Sequence, residues 1–154
     1  MTPAQGAPSV HASAVLVGAR AVLIRGPSGS GKSEFAFRLI EAGRSGPLPF
    51  VRLVSDDRTL LEACHGRLVA RPAPNLGGLL EIRGLGIRRL PYEAAAVVGL
   101  VMDFGIDPEG RMPRESERST EILGISIPRI AVLSVDSALQ RLLAWRLTHP
   151  ISVD

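Results

Sequence analysis

The chain has 154 residues, enough for one domain with a sizeable core and too few for two domains of ordinary size. Hydrophobic residues make up 45% of it and charged residues 21%, a balance that excludes a disordered chain. The net charge is +3, but the 17 arginines are interleaved with carboxylates and only 4% of the residues are aromatic, which argues against a nucleic-acid surface.

Membrane and export signals are missing from the sequence pattern. The longest apolar stretch, 94–102, is less than half of the roughly 20 residues needed to span a bilayer. Residues 1–9 are polar and rich in proline, without the basic and apolar regions of a secretory signal, and are predicted to be a flexible N-terminus. The single cysteine, Cys64, cannot form an internal disulfide. We therefore expect a soluble cytoplasmic protein in which residues 10–154 form one domain.

The first third of the chain alternates apolar runs with turn residues. Two short apolar runs, 14–17 and 21–24, predict a hairpin or two successive strands. A glycine-rich segment, 26–33, follows them. Residues 34–42 then predict a helix that ends at Gly43.

The middle of the chain is predicted to consist of strands. Residues 50–55 form an apolar strand, 59–70 a meander with a turn near its middle, and 71–78 a loop rich in proline and glycine. In 79–87, two glycines interrupt a strand, and 94–104 predicts a long buried strand.

The last third begins with a polar, proline-rich segment, 105–118, which predicts a mobile loop. Residues 122–133 predict two short strands around Pro128, and Asp136 is expected to cap a final helix. That helix is expected to bury four side chains: Leu139, Leu142, Leu143 and Trp145. The predicted fold class is α/β, with a largely β interior and few helices.

A phosphate-binding loop is predicted between the second strand and the first helix. The segment GPSGSGKS matches the pattern G-x-x-x-x-G-K-S/T in that context. Glycines let backbone N–H groups approach a phosphate, and the helix N-terminus adds its own N–H groups and the positive end of its dipole. The predicted nucleotide-binding residues are Gly26, Pro27, Ser28, Gly29, Ser30, Gly31, Lys32 and Ser33. The alternative is a glycine-rich turn that binds no ligand.

Two residues of this loop have specific chemistry. Lys32 is the only lysine of the chain, and its compact ammonium group is suited to the β and γ phosphates of a nucleotide. The hydroxyl of Ser33 is suited to bind Mg²⁺.

Paired carboxylates end the predicted strand 50–55. Adjacent side chains on an extended segment point to opposite faces, so we expect one of Asp56 and Asp57 to face a metal ion and the other to act as a base. The alternative is a pair that caps a helix or forms a turn. Considered alone, Glu81 is equally well explained by an ion pair on an edge strand. A histidine in an apolar stretch, such as His11, is more often packed or capped than catalytic.

Four segments together resemble the catalytic C-terminal domain of HPr kinase/phosphorylase. They are His11, GPSGSGKSE, LVSDDR and LLEIRGLGI, in this order and spacing. The resemblance covers about residues 10–130 and is most specific in LEIRGLGI, since the phosphate loop occurs in many families. It implies a P-loop kinase core similar to that of phosphoenolpyruvate carboxykinase, in a short form without the family's N-terminal domain, assembled as a hexamer.

The activity implied by the resemblance is ATP-dependent phosphorylation of a serine on HPr, a phosphocarrier protein of the sugar phosphotransferase system. Family members also remove this phosphoryl group with inorganic phosphate and form pyrophosphate. A basic segment of the form P-x-K-x-G-R serves that reverse reaction, and residues 133–138 of this chain, LSVDSA, do not match it. The resemblance therefore implies the kinase reaction and leaves the reverse reaction open.

Carried over by position, the resemblance assigns three residues to the phosphates and the metal. Lys32 matches the family's P-loop lysine and Ser33 its Mg²⁺-binding serine. Glu81 matches a second Mg²⁺ ligand, and Asp56 is expected to help order the same ion.

The resemblance also assigns residues to proton transfer and charge neutralisation. Asp57 matches the aspartate that acts as base in phosphorylation, and His11 matches an active-site histidine. The family's active-site arginine, which lies in a flexible loop, matches Arg111, with Arg114 as the alternative.

Two other functions fit the phosphate loop. A small-molecule P-loop kinase shares the loop and a strand-end aspartate, but usually has a longer chain with a helical lid. A non-catalytic ATP-binding module would use nucleotide binding to switch an interaction.

Overall fold

A computed structural model describes residues 9–107 and 112–148 of the chain. In these residues we find ten strands, two helices and one short 3₁₀ turn. The strands are β1 (Ser9–Val17), β2 (Arg20–Arg25), β3 (Val51–Ser55), β4 (Arg58–Cys64), β5 (Arg67–Pro72), β6 (Leu79–Ile82), β7 (Gly86–Arg89), β8 (Ala96–Phe104), β9 (Ser119–Ile122) and β10 (Ile125–Val132). The helices are α1 (Lys32–Ser45) and α2 (Val135–Leu147), and the 3₁₀ turn is Glu115–Glu117. The prediction of a β-rich α/β fold with few helices is confirmed.

Five strands close into a ring. β2 pairs with β1 on one side and with β8 on the other, and β4 and β5 connect the far edges of β1 and β8. Small and apolar side chains fill the ring, among them Ala14, Leu23, Leu68 and Val101, all at most 1% exposed. Closing the sheet in this way leaves few unpaired strand edges near the core.

A second core lies between the outer face of the sheet and the two helices. Phe35 and Leu39 of α1 and Leu142 of α2 pack there against Ile24 and Met102 of the sheet. Because α1 covers β1 and β3 while α2 packs on α1 and β10, the helices hold the segments at the C-terminal ends of β2 and β10 in place.

The helix α1 does not end at Gly43, contrary to the prediction. It continues to Ser45, and Gly46 follows with φ of +149°. A Cβ at Gly43 would lie 2.6 Å from Cβ of Val51, so this glycine allows the helix to approach β3 rather than ending the helix.

The two predicted strands around Pro128 are one continuous strand, β10. Residues 125–128 pair with β9, and 129–132 pair with β8. Pro128 lacks an N–H group, and it is tolerated because it lies where β10 leaves one partner and joins the other.

The final helix differs from the prediction at both ends. It begins after Ser134, and Asp136 lies in its first turn instead of capping it. Leu142 is buried, but Trp145 is 42% exposed, one turn beyond the last buried residue. In the described part of the chain, neither helix is long and apolar enough to cross a bilayer.

Candidate active site

The phosphate loop lies at one edge of the sheet. β2, β8 and β10 run parallel to one another, so their C-terminal ends meet at that edge. Residues 26–31 leave β2 there and lead directly into α1, which begins at Lys32. Ligands of sheets with parallel strands bind beyond these carboxyl ends.

The backbone of the loop depends on two of its glycines. At Gly26 a Cβ would lie 2.7 Å from Oγ of Ser30 and 2.9 Å from Cβ of Phe104. At Gly31 φ is +101°, and a Cβ would collide with Cγ2 of Val135. Any side chain at either position would therefore displace the loop or the residues behind it.

Lys32 is held over the loop by backbone carbonyls. Its Nζ donates hydrogen bonds to the oxygens of Gly26 at 2.8 Å and Pro27 at 3.0 Å, and the residue is only 6% exposed. Burial lowers the pKa of Lys32 below its ordinary value of 10.5, although the charges of Asp57 and Asp56 raise it in part. The neighbouring residue, Ser33, bonds Asp56 at 2.7 Å, which places the loop and the acids in one site.

Asp56 is the most heavily hydrogen-bonded group of the site. Its Oδ1 accepts bonds from Oγ of Ser33 at 2.7 Å and Oγ of Ser13 at 2.8 Å. Its Oδ2 accepts a bond from the backbone N–H of Glu81 at 3.2 Å. The carboxylate therefore connects the first turn of α1, the strand β1 and the strand β6.

Asp57 faces a different partner. Its Oδ1 lies 3.0 Å from Nε2 of His11, and both side chains are about half exposed. The two acids thus have separate partners, but the segment is not extended throughout, as the prediction assumed, because φ of Asp57 is +64°. This left-handed conformation interrupts the extended backbone between β3 and β4 and turns the Asp57 side chain outward.

The structure brings five of the predicted side chains together: His11, Lys32, Ser33, Asp56 and Asp57. Glu81 joins them through its backbone N–H, and the residue is exposed. Arg111 lies outside the described residues. Arg114, the alternative, is 79% exposed, and its Nε lies 4.0 Å from Oε1 of Glu117.

The loop residues fit a phosphorylated ligand. Among the described residues, the buried hydroxyl of Ser30 has no hydrogen-bond partner, so it is available to a ligand in the loop. The glycine backbone, the N-terminus of α1 and the ammonium group of Lys32 supply the donors and the charge that phosphate oxygens require.

Sequence reasoning missed one residue in contact with the acids, Ser13. It is fully buried on β1 and bonds Asp56. A signal was present, because residues two apart on a strand lie on the same face, which places Ser13 beside His11.

Sequence reasoning also missed a cluster of charged residues next to the phosphate loop. Asp103, at the end of β8, is 7% exposed and accepts bonds from Nε of Arg25 at 2.7 Å and Nη2 of Arg25 at 2.9 Å. Nε of Arg129 donates a further bond to the same carboxylate. The sequence did contain a signal for this cluster, namely an acidic residue at the end of an apolar strand. Arg25 immediately precedes Gly26, so this cluster supports the strand that carries the phosphate loop.

Comparison with known proteins identifies relatives of this chain. The family model described as HPr Serine kinase C-terminal domain matches residues 5–91, more than half of the chain. An HPr kinase/phosphorylase of Streptococcus thermophilus is 38% identical over 135 residues, which cover 80% of this chain and 41% of that protein. The corresponding protein of Geobacillus thermodenitrificans is 37% identical, with the same coverage.

A solved structure is similar over most of its length. The Hpr(Ser) kinase/phosphatase from Coxiella burnetii superposes with a TM-score of 0.72 and 26% identity, covering 90% of this chain and 95% of that one. The chain spans 41% of the length of the two curated relatives. The site geometry, the family match and these likenesses agree, and the chain belongs to the family of the HPr Serine kinase C-terminal domain.

Proposed function

We propose that this chain is an ATP-dependent kinase that phosphorylates a serine of the phosphocarrier protein HPr. The observation that carries the proposal is the 2.7 Å hydrogen bond from Ser33 to Asp56. It joins the phosphate loop to the paired acids, so a nucleotide in the loop would have its terminal phosphate near Asp57. The names of the relatives supply the acceptor, since they are HPr kinase/phosphorylases.

The two acids have different tasks in this proposal. Asp56 already accepts three hydrogen bonds, so both of its oxygens are directed to Ser33, Ser13 and the backbone of Glu81 rather than to an acceptor hydroxyl. Asp57 is more exposed, and among the described residues its carboxylate has a polar contact only with the imidazole of His11, so it accepts the proton of the attacking seryl hydroxyl. His11 orients the Asp57 carboxylate through their 3.0 Å contact.

Lys32 offsets the negative charge that develops on the transferred phosphoryl group. Its Nζ would exchange the carbonyls of Gly26 and Pro27 for phosphate oxygens. An arginine from residues 111–118, Arg111 by resemblance, adds positive charge from the opposite side. Positioning and electrostatic stabilisation supply most of the rate in such a reaction.

A magnesium ion belongs to the same proposal. Ser33, Asp56 and Glu81 would hold it, and when bound it neutralises charge on the β and γ phosphates. We also propose that the loop and its strands form a P-loop core similar to that of phosphoenolpyruvate carboxykinase. Assembly as a hexamer and a location in the cytoplasm stay predictions from the resemblance.

A phosphotransfer assay tests the proposed function. The purified protein is incubated with γ-labelled ATP, Mg²⁺ and HPr, and the label is traced. Label on a protein serine is the expected result. Label on a small metabolite would indicate a small-molecule kinase, and tight ATP binding without turnover would indicate a regulatory module. The same mixture with excess inorganic phosphate tests whether the protein also runs the reverse reaction.

The variant Asp57→Asn tests the assignment of the base. We expect transfer to fall by about a thousandfold or more, because an amide cannot accept the seryl proton, while ATP affinity changes by less than about threefold. Titration calorimetry gives the affinity and the labelling assay the rate. Asp136→Asn, an exposed acid on α2, is the matched control and should keep both values. A large loss of ATP affinity in Asp57→Asn would move Asp57 to the metal site.

A further inference from the structure

Ser13 occupies an unusual position for a polar residue. It lies in the interior of β1 and is 0% exposed. The neighbouring register pairs, Ala14 with Ser55 and His11 with Arg58, place it directly across from Asp56. A buried hydroxyl at such a point is retained only if its hydrogen bonds offset the cost of burial.

The hydrogen bonds of Ser13 go to both acids. Its one hydroxyl proton is donated to Oδ1 of Asp56 at 2.8 Å, and its oxygen accepts the backbone N–H of Asp57 at 3.2 Å. The first bond fixes the carboxylate that Ser33 also contacts. The second bond holds the backbone of Asp57 at φ of +64°, a conformation that L residues rarely adopt.

We propose that Ser13 is a positioning residue that holds both acids of the site through one hydroxyl. Its proton keeps Asp56 turned toward Ser33, and its oxygen keeps Asp57 in the left-handed conformation that directs its carboxylate to His11. The catalytic part of this inference rests on the proposed kinase function. The geometric part, that Ser13 maintains the backbone of Asp57, is measurable without any substrate.

A second buried serine provides the matched control. Ser55 is 1% exposed and lies immediately before Asp56, but its hydroxyl bonds Oγ1 of Thr59 at 2.6 Å. Because Thr59 donates its own proton to the carbonyl of Ala12, Ser55 is the donor in this pair. Ser55→Ala therefore removes a buried hydroxyl from the same region without touching either carboxylate.

The first experiment measures amide hydrogen exchange by NMR in the unliganded protein. We expect the Asp57 amide to be protected in the wild type and in Ser55→Ala, and to exchange at least about tenfold faster in Ser13→Ala. Equal protection in all three proteins would overturn the proposal. Ser13→Cys leaves no cavity and keeps the shape of the side chain with a slightly larger thiol that is a weak donor and acceptor, so it should show faster exchange even if the alanine variant folds poorly.

The second experiment compares kcat and KM in the labelling assay. In Ser13→Ala and Ser13→Cys we expect kcat to fall about tenfold or more while KM for ATP changes less than about threefold, because the phosphate loop is intact. Ser55→Ala should keep kcat within about twofold. A similar loss of kcat in Ser55→Ala, or none in the Ser13 variants, would overturn the proposal. If the wild type phosphorylates no protein serine, the proposed function fails, and the exchange rates alone decide the role of Ser13.

Discussion

Lys32 combines three properties at the level of a single residue. It is the only lysine among 18 basic residues, it is 6% exposed, and its ammonium group lies over the carbonyls of its own loop. A compact point charge fits this geometry, whereas the planar guanidinium group of arginine requires a wider space and a different donor arrangement.

The variant Lys32→Arg tests this requirement. We expect kcat/KM for ATP to fall by about a hundredfold or more, because the larger group cannot follow the turn of the loop and reach the phosphates. The measurement is the labelling assay with HPr. Arg38→Lys, an opposite exchange on the exposed face of α1, is the control and should stay within about twofold. Full activity in Lys32→Arg would contradict the assigned role.

At the level of elements, the close approach of α1 to β3 positions the first turn of the helix beside Asp56. Gly43 makes this approach possible, since its missing side chain leaves room for Val51. The bond between Ser33 and Asp56 depends on the same packing, because α1 carries Ser33 while β3 leads into Asp56.

The variant Gly43→Ala should therefore destabilise the protein although alanine is the better helix former. We expect the free energy of unfolding to fall by about 1–2 kcal/mol, because overpacking against Val51 outweighs a gain in helix propensity of about 1 kcal/mol. Urea unfolding measures the change. Glu41→Ala on the exposed face of the same helix should change the free energy by less than about 0.5 kcal/mol. A more stable Gly43→Ala protein would show that the helix does not depend on this contact.

At the scale of the whole molecule, Asp103 connects segments that are far apart in sequence. Its carboxylate bonds Arg25 of β2 and Arg129 of β10, and Arg129 in turn donates to the carbonyl oxygen of Glu117 in the 3₁₀ turn. Burial alone would raise the pKa of Asp103, but the hydrogen bonds and charges of the two arginines outweigh it and lower the pKa below 3.8.

The lowered pKa of Asp103 predicts a pH-dependent contribution to stability. An acid whose pKa is lower in the folded state stabilises the fold above its ordinary value of 3.8, and this stabilisation is lost as the pH falls through the lower, folded-state value. Near neutral pH, we expect the free energy of unfolding of Asp103→Asn to be about 3 kcal/mol lower than that of the wild type. This difference should become smaller as the pH falls below 3.8.

Urea unfolding at a series of pH values tests this expectation. Asp136→Asn, in which the exchanged acid has an 89% exposed side chain, should show little difference from the wild type across the range. If the free energy of unfolding of Asp103→Asn differs from that of the wild type by the same amount well below pH 3.8, the assigned ionic role of Asp103 is wrong.

The sequence by itself determined the phosphate loop and most of the elements. A phosphate loop is a local structure whose glycines, lysine and serine lie within 26–33, so its pattern is legible without tertiary information. Strands that consist of an apolar run are likewise predictable, because the run itself is a local pattern. Among the predictions that were wrong, those at Gly43 and Pro128 concern residues whose local preference is overridden by a neighbouring strand.

Only the tertiary structure decided how the acids are used and supported. Ser13 and Asp56 are 43 positions apart, and Arg25 and Asp103 are 78 apart, and strand pairing alone makes them neighbours. Which carboxylate faces Ser33 and which faces His11 depends on the left-handed conformation of Asp57, which local composition does not reveal. A hydrogen bond depends on the distance between two atoms in space. For residues far apart in sequence, that distance is set by the pairing of the strands and cannot be predicted from their separation in sequence.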